Sequence, residues 1–213
     1  TDIGHTVSIT SVEASGVTTG LTLNTPSLLG LVSTGTVTKV SGSTSGSTNL
    51  NFSAPASALD YLGEGQVLTL TYTVSVNDGD GGIDTEQVTI NITGTNDVPT
   101  LSTISTLTGA SEDVYKEITY ADLIAAANEQ DVDNSSVSFR IESVTSGSLQ
   151  KWNGSAWVDV TAGTTTLASG EKLQWKAAQD ANGTLDAFTV KAFDGIAYSA
   201  TPVQVKVNTA AVN

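Results

Sequence analysis

Residues 67–100, VLTLTYTVSVNDGDGGIDTEQVTINITGTNDVPT, decide the fold class of this 213-residue chain. Leu68, Leu70, Tyr72, Val74 and Val76 alternate with Thr69, Thr71, Thr73 and Ser75, the period of two expected when one strand face is buried and the other meets water. Val88, Ile90 and Ile92 repeat the alternation on the return, so the stretch predicts a β-hairpin. Its tip crowds Asp78, Asp80, Asp84 and Glu86 among three glycines with no basic residue. Like charges at that density repel one another unless a cation is shared between them. After the second strand, Gly94-Thr95-Asn96-Asp97-Val98-Pro99 adds Asn96 and Asp97 and ends on a residue that cannot extend a sheet. That run marks a domain boundary.

Working outward, the hairpin recurs. FTVKAFDG at 188–195 matches YTVSVNDG at 72–79, 116 residues further on, and Val203, Val205 and Val207 match Val88, Ile90 and Ile92 at a separation of 115. Gly170-Glu171 likewise echoes Gly63-Glu64 ahead of each hairpin. Such self-similarity predicts two domains of one type, residues 1–97 and 98–213. The first opens with weaker strand signals at 6–12, 21–23, 36–40 and 50–52. Short strands at this spacing predict a sandwich, because a lone hairpin cannot hide its apolar face. One helix stands out, at residues 120–128, with Thr119 as N-cap, Asp122 at the third position and an apolar stripe of Leu123, Ile124 and Ala127.

Composition narrows the chemistry. The chain is rich in Thr, Ser, Val and Gly, which favours strands over helices. Eight basic residues against twenty-two acidic ones leave a net charge of −14, which makes nucleic acid and anionic membrane poor partners and cations natural ones. With no cysteine, thiol chemistry, thiolate metal sites and disulfides are excluded, so cross-linking beyond the cores must come from oxygen-bound metal. No run of apolar residues approaches a membrane span, and the start TDIGHTV does not read as a signal peptide.

Gly63-Glu64, Tyr72-x-Val74-x-Val76-x-Asp78-Gly79, Val88-Thr89-Ile90 and Gly94-Thr95-Asn96-Asp97-x-Pro99 resemble the cadherin-like repeats, of VCBS type, in large bacterial RTX surface adhesins. The second domain resembles another cadherin-like repeat of giant bacterial proteins through Glu112-Asp113, the run 118–123, Asp131-Val132-Asp133, Gly170-Glu171 and Phe193-Asp194-Gly195. The resemblance implies an all-β fold of two tandem Ig-like or cadherin-like Greek-key sandwiches, with a short helix in the second. It implies a monomeric fragment of a longer exported chain on the bacterial cell surface, partnered by its neighbouring domains and serving cell adhesion or biofilm formation. It also implies that a base Glu, a linker Asn-Asp and an Asp-x-Asp of the following domain bind Ca2+ together. Carried over, these are Glu64, Asn96, Asp97, Asp131 and Asp133, with Asp194 as a further ligand and Asp78 and Asp80 offered by the hairpin tip. The departures are specific. Residues 78–89 fail the EF-hand template at its fifth, sixth and twelfth positions, and the C-terminal run NTAAVN has no Asp where the first domain has Asp97.

Lys151-Trp152-Asn153-Gly154-Ser155-Ala156-Trp157 predicts a second hairpin, with Asn-Gly as a type I′ turn between two tryptophans. Trp152 and Trp157 either pair across the strands and cover the sandwich edge or form an aromatic platform for a carbohydrate or peptide. The latter would make the chain a ligand-binding module near an adhesin tip. Trp175, two residues after Leu173, reads as core. His5 is the lone histidine, and there is no GxSxG or HExxH motif. No acid sits in an apolar run that would raise its pKa, so the sequence predicts no enzyme.

Overall fold

The computed structural model describes residues 4–40, 43, 45–133 and 136–212. The chain is mostly β and divides into two compact units, Thr1–Asn96 and Asp97–Asn213.

In the first unit the elements run β1 (Thr6–Gly16), α1 (Thr25–Leu29), β2 (Val32–Thr34), β3 (Thr38–Lys39), β4 (Gly46–Ser47), β5 (Leu50–Phe52), β6 (Val67–Asn77) and β7 (Ile83–Thr93). The expected hairpin forms between β6 and β7 in an unbroken register from Val67↔Thr93 to Asn77↔Ile83. β1 pairs with the other side of β6, giving a sheet ordered β1-β6-β7. Leu68, Leu70 and Tyr72 point into the core with Val12, and the Tyr72 hydroxyl donates to the Leu28 carbonyl at 2.9 Å.

This unit is not the sandwich that the strand pattern predicts. Among the described residues, β2–β5 and β3–β4 are two-stranded ribbons, and Leu28, Leu31 and Val32 cover the sheet where a second sheet would lie. The strand expected at 21–23 does not form, and the chain turns directly into α1. There the Asn24 side chain accepts from the Ser27 N–H at 3.0 Å and Pro26 occupies the first turn.

The second unit contains β8 (Leu107–Ser111), β9 (Lys116–Thr119), α2 (Tyr120–Ala126), β10 (Ser138–Val144), β11 (Ser148–Trp152), β12 (Trp157–Asp159), β13 (Thr166–Leu167), β14 (Lys172–Lys176), β15 (Gly183–Phe193) and β16 (Val203–Ala210). They form a five-stranded sheet, β13-β10-β15-β16-β8, and a four-stranded sheet, β12-β11-β14-β9. β16 pairs with β8 in parallel, whereas the other ladders are antiparallel. Both sheets feed one core: Phe139, Ile141, Phe188, Val205 and Val207 from the first meet Ile118, Leu149, Leu173 and Trp175 from the second. Trp175 is 1% exposed and its indole N–H donates to the Ser146 carbonyl at 2.9 Å.

α2 carries a reciprocal capping box. The Asp122 N–H donates to Thr119 Oγ1 at 3.1 Å, and the Thr119 N–H to Asp122 Oδ2 at 2.8 Å. The Thr119 hydroxyl, which donates to Asp122 Oδ2 at 2.7 Å, and the Thr119 N–H together hold the Asp122 carboxyl below the usual carboxylate range. The helix stops before the expected residue 128. Ala127 is already extended and forms a bridge to Ile104, so backbone pairing outside the helix replaces its last turn.

Candidate metal centre

That extended exit from α2 builds the site. Residues 97–104 run antiparallel to residues 127–133, bridged at Ile104↔Ala127 and Thr100↔Gln130, with both backbone bonds of the latter present at 2.8 and 3.0 Å. Asn128 Oδ1 accepts from the Ser102 and Thr103 N–H groups, while Leu101 and Pro99 are buried. The register brings Asp97 level with Asp133, and the Asp97 N–H donates to Asp133 Oδ2 at 3.0 Å. The Asp133 N–H in turn points at Asp131 Oδ1, at 3.3 Å.

Two residues before Asp131, in the same segment, lies Glu129, and the chain bends at 132 and 133. Glu129 is not among the expected ligands. The signal that would have found it is the alternation Glu-x-Asp-x-Asp at 129–133. Glu129 Oε2 and Asp133 Oδ1 are buried and make no hydrogen bond among the described residues. Carboxylate oxygens taken from water without a donor are costly, and Glu129 lies close enough to Tyr120 for its charge to help burial push the phenol pKa up. Each is an oxygen of the kind a hard cation such as Ca2+ takes as ligand, in irregular geometry. Among the described residues, no three acidic or imidazole side chains already converge on one point, so a bound ion would have to draw these carboxylates inward.

The other expected ligands divide between the two units. In the first, Glu64 Oε2 accepts from the Asn96 N–H at 3.1 Å. Around that bond the turn at 63–66 is laced to the end of β7, Gly94 N–H to the Gln66 carbonyl at 2.8 Å and Gly65 N–H to the Gly94 carbonyl at 3.2 Å. Gly94 is required there, since a Cβ would collide with the Leu62 and Gly63 carbonyls.

At the hairpin tip, Asp78 Oδ1 accepts from the Asp80 and Gly82 N–H groups at 2.9 and 2.8 Å. These backbone donors hold the Asp78 carboxyl below its ordinary range; Asp80 itself is exposed. In the second unit, buried Asp194 occupies the matching place in the repeat, and its Oδ1 accepts from Ile196 and Ala197 N–H at 2.6 Å each. Both aspartates therefore shape hairpin tips.

Trp152 and Trp157 face each other across β11 and β12, with ring centroids 5.3 Å apart and planes at 62°. The two-residue type I′ turn does not form. Residues 153–156 make a longer loop in which Asn153 Oδ1 accepts from Ser155 and Ala156 N–H, a bond pattern that lets the tryptophans pair directly.

No protein-family model matches the chain, and no curated protein does. Among solved structures it is similar to the endo-fucoidan hydrolase MfFcnA4 from glycoside hydrolase family 107, at 15% identity over 99% of this chain, and to a point variant of that enzyme, at 16% over 98%. The TM-score is 0.35 in both cases, and this chain spans 27% and 24% of theirs, about a quarter of their length. This finding corrects the expectation that the chain is no enzyme: the solved chains it is similar to are hydrolases, so the exclusion of catalysis on motif grounds is withdrawn. A likeness of this degree assigns neither a catalytic residue nor a substrate to the present chain.

Proposed function

We propose that the chain is a pair of extender domains from a bacterial cell-surface adhesin, the second of Ig-like or cadherin-like type, stiffened by calcium. The observation that carries this reading is the pair of buried carboxylate oxygens without donors among the described residues, Glu129 Oε2 and Asp133 Oδ1, beside the segment that opens the second unit. Asp97 is tied to Asp133 through its amide, so whatever orders Asp133 also orders the residue through which the chain enters that unit. Glu64 holds the Asn96 amide in the same manner at the close of the first. Bound Ca2+ would supply the positive charge and the coordination that the clustered oxygens lack. Without it, the acids at 129–133 repel one another and loosen the pairing with 97–104.

An ion that binds the folded state and not the open chain stabilises by mass action, about 2.7 kcal/mol at a hundredfold excess over Kd. Calorimetry in millimolar calcium and in EGTA is the test: the transition of the second unit rises by several degrees with calcium, and Glu129→Gln or Asp133→Asn removes most of the rise. A melting temperature unchanged by calcium would sink the proposal. Small-angle scattering adds the mechanical readout, since a stiffened connection narrows the distribution of dimensions in calcium relative to EGTA.

A further inference from the structure

The four-stranded sheet of the second unit has an outer face that the metal centre does not use. Alternation along its strands puts Leu149, Leu173, Trp175 and Ile118 inward, and therefore Trp152, Gln150, Lys172, Gln174 and Glu117 outward. The registers Trp152↔Trp157, Gln150↔Asp159, Gln150↔Gln174 and Gln174↔Glu117 arrange these in rows across the sheet. One row is aromatic, with the Lys172 ammonium 5.8 and 5.5 Å from the two indole centroids. The next is a chain of amides: Gln174 Nε2 donates to Gln150 Oε1 at 2.7 Å, and Gln150 Nε2 to Asp159 Oδ1 at 2.9 Å. Beyond lie Ser148 and Lys176, capped by half-exposed Tyr115, whose hydroxyl accepts from Ser148 and whose ring faces Lys176 at 5.3 Å. An open cavity of about 520 Å³ adjoins Trp152, lined also by Asn153, Gly170, Glu171 and Lys172.

We propose that this face binds a chain of uncharged hexopyranose sugars. A sugar ring has an apolar C–H face and a rim of hydroxyls. Edge-to-face packing of Trp152 and Trp157 covers one face of one ring only, leaving indole surface for the apolar side of a sugar. The amide row next to it offers donors and acceptors to the rim. From the tryptophan row to the Ser148 row the strand advances four residues, about 13 Å, which is longer than a single sugar ring.

Charge selects the neutral ligand. Lys172 is paired with Glu117 and Lys151 with Glu171, each at 2.7 Å, so these cations act as hydrogen-bonding groups within a balanced face. The net charge of −14 on the chain works against a polyanion.

The test uses the whole 213-residue chain. It is titrated by calorimetry and tryptophan fluorescence with hexasaccharides of β-linked glucose, mannose and galactose, with an alginate oligomer, and with an unrelated extended peptide. The proposal expects one of the neutral hexasaccharides to bind and shift the emission, with at least about tenfold weaker binding in Trp157→Ala and a smaller loss in Gln174→Leu. Should Trp157→Ala melt early, Trp157→Phe and Gln174→Leu carry the test. Failure of every neutral glycan to bind, equal binding by Trp157→Ala, or binding only of alginate or the peptide would each overturn it.

Discussion

The two units carry the same hairpin motif and put it in different surroundings. In the second, β15 lies between β10 and β16, β16 pairs onward with β8, and a second sheet closes the core from the other side. In the first, β7 has β6 as its one strand neighbour among the described residues, and a short helix and a ribbon do the covering. The matched side chains record the result. Val205 and Val207 are fully buried, whereas their counterparts Ile90 and Ile92 remain half-exposed at the edge of the core. Alternation in a strand dictates which face is apolar; it does not dictate what lies on that face. Coverage comes from segments that the motif does not encode.

The most disruptive way to probe the difference is to empty the better-closed core. Phe188, fully buried in β15, is surrounded by both sheets, and Phe188→Ala should cost the second unit about 3–5 kcal/mol. Denaturant unfolding should show the transition of that unit moving while that of the first stays in place. If both moved together, the two units would not be the separate cooperative bodies that their cores suggest.

A smaller effect sharpens the comparison position by position. Val207→Ala removes methyl groups from a site with no solvent access and should cost about 2 kcal/mol. Ile92→Ala deletes more carbon at the matched place in β7, yet its side chain is already partly wet, and a loss below about 1 kcal/mol is expected. Equal losses would mean that β7 is covered in solution as completely as β16. Midpoint shifts at constant m-value give both numbers.

These contrasts also mark where the sequence could be read and where it could not. The hairpin, its repeat and the capping box at Thr119 were legible because each depends on residues close together in the chain: alternating Val, Ile and Thr, or an N-cap three residues before its partner. α1 was missed although Asn24 and Pro26 announce it, because its five residues are too short to show a helical period. The single-sheet build of the first unit was illegible for another reason. Leu21 and Leu23 alternate as a strand would, and only tertiary packing sends them elsewhere. Asp97, Asp131 and Asp133 were picked out from residue type, but their mutual approach depends on the ladder between 97–104 and 127–133. Glu129 enters through that ladder, between the bridged residues Ala127 and Gln130.

The smallest expected effect concerns the two hairpin tips. The backbone N–H groups of Asp80 and Gly82 hold the Asp78 carboxyl below its ordinary value of 3.8. A carboxyl depressed in the folded state adds stability above its unfolded pKa, and that contribution is lost as the pH falls through the depressed folded value. In Asp78→Asn this term is absent, so the gap in melting temperature between wild type and variant should be open at pH 7 and close below about pH 3.8. Because the Asp78 side chain is half-exposed, water can replace much of what is lost and the gap should be slight. Asp194→Asn alters the same kind of tip in a buried setting, where water cannot take over the two amides at Ile196 and Ala197, and its gap at pH 7 should be the wider one. Thermal melts of both variants across pH 3–7 decide the point: if Asp78→Asn proved the more damaging, burial could not be what separates the two tips.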